Sequence, residues 1–133
     1  MWTTAAYDDE LGLVYAPLGP THLAIEDMAI MRALPNMAVV AVSDAEEMVR
    51  FMRASRYWPH PIYIRLGKGG DPVVSRAEPE FAIGRAITLR EARAPAPVVL
   101  LSTGVMTANG LAAADLLAAR GIDAKAASPE RAG

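Results

Sequence analysis

Three basic side chains carry the chemistry open to this sequence. His22 closes the string Leu18-Gly19-Pro20-Thr21-His22, where an apolar helical stretch opens. An imidazole there can donate to a hydroxyl or to a developing alkoxide near neutral pH, and a loop that opens a helix also presents free backbone N–H groups. Gly19 and Pro20 would shape that loop. The plainer alternative is a helix N-terminal histidine making a local hydrogen bond. Arg65 and Lys68 stand at the end of a strand pattern. Either can hold a phosphate, arginine through a bidentate fork and lysine as a point charge. If the strand persists through both positions they point to opposite faces, so only one faces a common ligand. The alternative is two ordinary surface charges at a strand terminus.

Other candidates carry less. Glu26 and Asp27 resemble a carboxylate pair, but neighbours on a helix point about 100° apart, and acids near a helix N-terminus favour its dipole, so both read as structural. Gly67, Gly69 and Gly70 lack the GK-Ser/Thr spacing of a P-loop and read as a flexible linker. Ser102, Thr103 and Gly104 occupy a generic strand-to-helix turn and are assigned no ligand. The absence of cysteine excludes disulfides, thiolate metal sites and a cysteine nucleophile, and fits a cytoplasmic protein. A net charge of −2 with no basic block argues against nucleic-acid binding. The apolar run from Met37 to Val42 is far too short to span a membrane, and the first residues lack a signal-peptide pattern.

The elements that must position these residues follow from periodicity. Beyond a polar start at Tyr7 to Glu10, Thr21 to Leu34 carries Ile25, Met28, Ala29 and Ile30 at helical spacing and is expected to be a largely buried helix, ended by Pro35 and Asn36. Met37 to Val42 is a short apolar strand. Ser43 with Glu46 makes a capping box, and Ala45, Met48, Val49 and Met52 form the inward stripe of a helix running to about Arg56. After a turn at Pro59 to Pro61, Ile62 to Leu66 is a β-branched strand. Two apolar strands joined by a helix imply a parallel βαβ unit that needs cover on both faces. Further on come β-formers at Phe81 to Leu89, a strand at Pro97 to Ser102, and a helix at Thr107 to Arg120 with Ala108, Leu111, Ala112 and Leu116 inward. Gly121 caps that helix, and Ile122 to Ala126 begins another strand. An apolar fraction of 53% and a mean hydropathy of +0.20 are high for a small soluble domain, so surplus apolar surface is expected to meet a partner.

The string LGPTHLAIEDMAIMRALPNM, followed by SDAEE and then PIYIRLGKG, resembles the pyrimidine-binding domain of the transketolase family. The later EFAIGRAITLRE and VVLLSTGVMTANGLAAADLLAARGIDAKA resemble the family's linker and the opening of its C-terminal domain. The resemblance implies an α/β fold of parallel βαβ units: a partial pyrimidine-binding domain at 1–66, a linker at 67–80 and the start of a transketolase C-terminal domain at 81–133.

It also implies a thiamine-diphosphate and magnesium enzyme whose active site lies between two subunits, either ketol-transferring or of the 1-deoxyxylulose-5-phosphate synthase kind. By resemblance His22 matches the loop histidine that reaches substrate oxygens, and Lys68 falls where relatives often place a phosphate-gripping arginine. Leu18 departs from the family, where many members carry an aspartate that contacts a substrate hydroxyl; leucine accepts no hydrogen bond, which hints at an altered substrate. The family's glutamate against the aminopyrimidine ring would precede this sequence, and the Gly-Asp-Gly metal signature does not occur in it. The expectation is therefore one substrate-facing wall of a larger enzyme, inactive alone, binding no cofactor tightly alone, and working with remaining domains or a companion subunit as a homo-oligomer on a sugar-phosphate-like substrate. The rival expectations are a non-catalytic oligomerisation module derived from such an enzyme and a small free-standing α/β phosphate binder.

Overall fold

The computed structural model describes residues 6–8, 13–15, 26–75 and 81–129 of the 133-residue chain. β1 (Ala6–Asp8) and β2 (Leu13–Tyr15) pair antiparallel, with Tyr7 opposite Val14. Periodicity did not indicate this hairpin, because strands of three residues are too short for alternation to register. α1 (Asp27–Arg32) follows. The expectation of a largely buried helix is corrected over its described part: none of its six residues is buried, and Ile30 is 59% exposed. Apolar spacing marks a face, whereas burial needs a surface opposite it; α1 lies against β3 (Ala38–Ala41) without being covered. Asn36, at φ 61, turns the chain in the left-handed region that asparagine tolerates.

Every residue of β3 is buried, as expected for a parallel strand covered on both faces. It pairs in parallel with β4 (Ile62–Arg65), Ala38 opposite Ile62 and Ala41 opposite Arg65. The crossover is α2 (Ala45–Ser55). One face of the pair, built from Ala38, Val40, Val42 and Ile62, packs on Phe51 of α2, with Met48, Met52, Trp58, Ile64, Phe81 and Ile83 around it. The buried face of α2 runs through Glu47, Phe51 and Ser55. The stripe expected from sequence is thus rotated: Met48 and Met52 lie at its margin and Val49 is 52% exposed. The capping box also shifts by one residue. Asp44, in extended backbone, is the N-cap and accepts from the Glu47 N–H at 2.9 Å, while the Glu47 carboxylate reaches back to the Ser43 N–H.

The second unit has β5 (Ala86–Arg90), β6 (Val98–Leu101), α3 (Met106–Ala118) and β7 (Ala124–Pro129). The sheet order is β5-β7-β6, with β6 and β7 parallel across α3 and β5 antiparallel to β7. The inward face of α3 also differs from expectation. Thr107 and Ala114 are buried, and Gly110 presses on Ser102, whose Oγ would lie 2.7 Å from an added Cβ; Ala112 is exposed and Leu116 is 67% exposed. Small residues let the helix sit close to the β6 end, and that close approach turns the leucine outward. Gly121 ends α3 as expected: at φ 76 it donates to Ala118 O while Ile122 N–H donates to Leu117 O, the paired closure of a Schellman turn.

The units meet at the C-terminal end of β3. Gly104 N–H donates to Ala41 O at 3.0 Å, and the Ser43 hydroxyl donates to Thr107 Oγ1 at 3.0 Å. Phe81 stands edge-on to Phe51 with ring centroids 5.8 Å apart. Among the described residues no helix is long and apolar enough to cross a membrane.

Candidate functional site

In open α/β sheets, ligands gather at the carboxyl ends of parallel strands. Here those ends are Ala41 of β3 and Arg65 of β4. Tyr63 and Arg65, two apart on β4, share a face, and both meet Asp27 at the start of α1. Tyr63 donates its hydroxyl to Asp27 Oδ2 at 2.5 Å, and the Arg65 guanidinium pairs with Asp27 Oδ1. Burial pulls the Asp27 carboxyl upward, but the bonds from Arg65 and Tyr63 and the arginine charge outweigh it and hold the group below its ordinary value. Burial and the bond to Asp27 raise the Tyr63 phenol, and Asp27 raises Arg65 further.

Asp27 is therefore structural, as its position in sequence implied, but for a stronger reason than the helix dipole: it ties α1 to the strand that carries Arg65. The loop residues Leu18, Gly19, Pro20 and His22 lie outside the described residues. His22 precedes Asp27 by five positions in sequence. Arg65 is half-buried and paired with Asp27. Lys68 lies beyond the end of β4, exposed, and among the described residues makes no ion pair. Because the strand stops at Arg65, strand alternation no longer relates the two cations. In the turn from β6 to α3, the Gly104 N–H and the Thr103 hydroxyl both go to Ala41 O, at 3.0 and 3.4 Å, so that turn is committed to joining the units.

A second carboxylate, Asp44, was not singled out by sequence. Besides capping α2 it accepts from Val74 N–H, Ser75 N–H and the Ser75 hydroxyl, each at 2.8 Å. Burial raises its carboxyl, yet these donors together hold it below its ordinary value. The signal was present: S-D-A-E-E accommodates a capping box at Ser43 or at Asp44, and an aspartate brings the second oxygen.

Both aspartates ionise more readily folded than unfolded. Their contribution to stability is fully present above the unfolded value near 3.8 and is lost as pH falls through their lowered folded values. The urea midpoint is therefore expected to fall as pH drops below about 4, and to fall less steeply in Asp27→Asn. An identical slope in the variant would show that Asp27 is not held by Arg65.

Residues 9–70 match the family described as transketolase, pyrimidine binding domain. A putative uncharacterized transketolase family protein, y4mN of Sinorhizobium fredii, is 36% identical over 107 residues, covering 80% of this chain and 30% of that protein. The chain is transketolase-like. This transketolase-like sequence is also 36% identical to the 6-deoxy-6-sulfo-D-fructose transketolase subunit SqwH of a Clostridium species, over 80% of this chain and 32% of the relative. Among solved structures it superposes on a split gene transketolase, described as an inactive beta4 tetramer, with a TM-score of 0.75 and 38% identity, over 84% of this chain and 36% of that one. The transketolase-like chain thus spans about a third of the length of these relatives. Its parallel βαβ architecture agrees with the fold expected of a pyrimidine-binding region followed by a second α/β unit.

Proposed function

We propose that this chain supplies a substrate-facing wall and a subunit interface of a thiamine-diphosphate-dependent, transketolase-like transferase, either ketol-transferring or of the 1-deoxyxylulose-5-phosphate synthase kind. The observation that carries this reading is the family match over residues 9–70, which contains the LGPTH string, β3, α2 and β4 in one stretch. The division into a partial pyrimidine-binding domain at 1–66, a linker at 67–80 and the start of a C-terminal domain at 81–133 belongs to the same reading. So do a cytoplasmic location, magnesium in the complete enzyme, and an assembly of this chain with itself and with remaining domains or a companion subunit.

In such an enzyme bound thiamine diphosphate would supply nucleophilic catalysis toward a substrate carbonyl. Among the described residues no three His, Cys, Asp or Glu side chains converge on a metal position, and none is assigned to the diphosphate. The role of this chain is toward substrate. His22 donates to the substrate oxygen on which charge develops, Lys68 neutralises a phosphate at the far end of the sugar, and Arg65, whose guanidinium Asp27 orients, adds positive charge at the strand end. Leucine at position 18 leaves one sugar hydroxyl without an acceptor, which favours a substrate lacking or differing at that position.

Titration of the 133-residue chain with fructose 6-phosphate, wild type against His22→Ala, tests this. Binding by the wild type and a loss of about tenfold or more in the variant are expected. Thiamine-dependent turnover by the isolated chain would overturn the reading of it as one wall. No binding by either protein favours the second reading, an oligomerisation module. That reading draws on the apolar edge strand β6, whose Val98, Val99 and Leu101 are all exposed.

A further inference from the structure

Ser75 is only 1% exposed, although it lies outside any helix or strand. Asp44 explains this. An N-cap needs one side-chain oxygen for one N–H, and Asp44 Oδ1 meets that need at the Glu47 N–H. Asparagine or serine would cap equally well. Yet a carboxylate is buried here, at a desolvation cost that the cap alone does not require. Its second oxygen goes wholly to the chain after β4: Oδ2 accepts from Val74 N–H and Ser75 N–H, while Oδ1 also accepts from the Ser75 hydroxyl. Arg50, one turn and a half along α2, adds a bond to Ser75 O at 2.8 Å and another to its hydroxyl.

The segment between Arg65 and Ser75 is thereby a loop fixed at both ends. Its outgoing end is Arg65, paired with Asp27; its returning end is Val74 and Ser75, held by Asp44. Gly67 adds a contact in between, packed so tightly that an added Cβ would lie 2.5 Å from Val105 and 2.6 Å from Asp71. Only the tip, residues 68–70, stands free, and its one cation is Lys68.

We propose that Asp44 is the positioning residue for Lys68, holding the returning limb of this loop so that the ammonium is presented at the carboxyl end of β4. The inference rests on the reading of Lys68 as a phosphate contact. It adds that the linker expected at this place is anchored at Val74 and Ser75, and that the anchor serves ligand binding.

Asp44→Asn separates the two roles of the carboxylate. The amide oxygen keeps the cap, while the amide nitrogen confronts two backbone N–H donors that it cannot accept from. In hydrogen exchange on the full 133-residue chain, the amides of Val74 and Ser75 are expected to exchange about tenfold faster or more, with those of α2 near their wild-type rates. Fructose 6-phosphate supplies the second readout. Lys68→Ala and Asp44→Asn are each expected to weaken it about tenfold, and the double variant no more than Lys68→Ala alone, because both remove the same contact. A loosened loop with wild-type affinity in Asp44→Asn, beside a weakened Lys68→Ala, overturns the positioning role and leaves the Lys68 reading standing. Unchanged affinity in Lys68→Ala, or no binding by the wild type, overturns the Lys68 reading itself and the proposal with it. Should Asp44→Asn not fold, Ser75→Ala removes only the two bonds of the hydroxyl, to Asp44 and from Arg50, and is expected to loosen the same limb by a smaller factor and to lower the affinity in proportion; wild-type affinity there, with the limb loosened, overturns the proposal equally.

Discussion

Phe51→Ala is expected to destabilise the chain by about 3–5 kcal/mol, read as a lowered urea midpoint with Trp58 fluorescence as the probe. Phe51 is fully buried and is the largest side chain that is. It packs on Ala38, Val40, Val42 and Ile62, with Phe81 edge-on to it. The strand residues beneath it are alanines and valines, short and stiff, so they cannot move into the space the ring leaves, and the cavity term stays near its full value. The aromatic pair adds about 0.5–1.5 kcal/mol beyond area burial. Set against a total of about 5–15 kcal/mol for an ordinary domain, this is a large share. Val49→Ala on the same helix, at a half-exposed site, should stay within about 0.5 kcal/mol. Equal costs at the two positions would show that the core lies elsewhere.

Gly104→Val should be the second most damaging change, at about 2–4 kcal/mol. Gly104 has φ 58, where a residue with a Cβ loses roughly 1–2 kcal/mol. A Cβ there would also sit 3.3 Å from Ala41 Cβ, tight contact against a strand that cannot yield because its neighbour β4 fixes it. Branching at Cβ then crowds the carbonyls of Ala41 and Val42, each 3.8 Å away. The consequence is local: the Gly104 N–H and Thr103 hydroxyl bonds to Ala41 O and the Ser43–Thr107 bond join the units at this corner. Faster exchange at Gly104 and Thr107, with the amides of β4 unaffected, is the expected pattern. A valine tolerated within about 0.5 kcal/mol would mean the units are not seated here.

Much of the first unit was legible in sequence, because β3, α2 and β4 each carry a strong local signal: an unbroken apolar run, a cap, and a β-branched run after a proline turn. What was not legible concerns partners. The inward face of α2 is polar at two of its three buried positions, Glu47 and Ser55, since Glu47 turns back to the Ser43 N–H and the Ser55 hydroxyl donates to Met52 O. Apolar counting therefore pointed beside the true face. The same error arose in α3, where close packing selected Gly110 and Ala114 over leucines. Of the candidate site, Arg65 and Lys68 were singled out in sequence by type and place. Their supports, Asp27, Tyr63 and Asp44, were not, because a tether between residues 36 positions apart, as between Asp27 and Tyr63, leaves no mark in any local pattern.

The strand order β5-β7-β6 puts the last strand of the chain in the middle of its sheet. On a ribosome this sets a timetable. β3, α2 and β4 can close as soon as residue 65 has emerged, whereas β5 and β6 have nothing to pair with until residues 124–129 follow. From the end of β6 to the end of β7 the interval at typical translation rates is about 1–6 s. For that time the newborn chain presents two unpaired strands, one of them the apolar Val98-Val99-Leu100-Leu101, an exposed edge of the kind that invites aggregation.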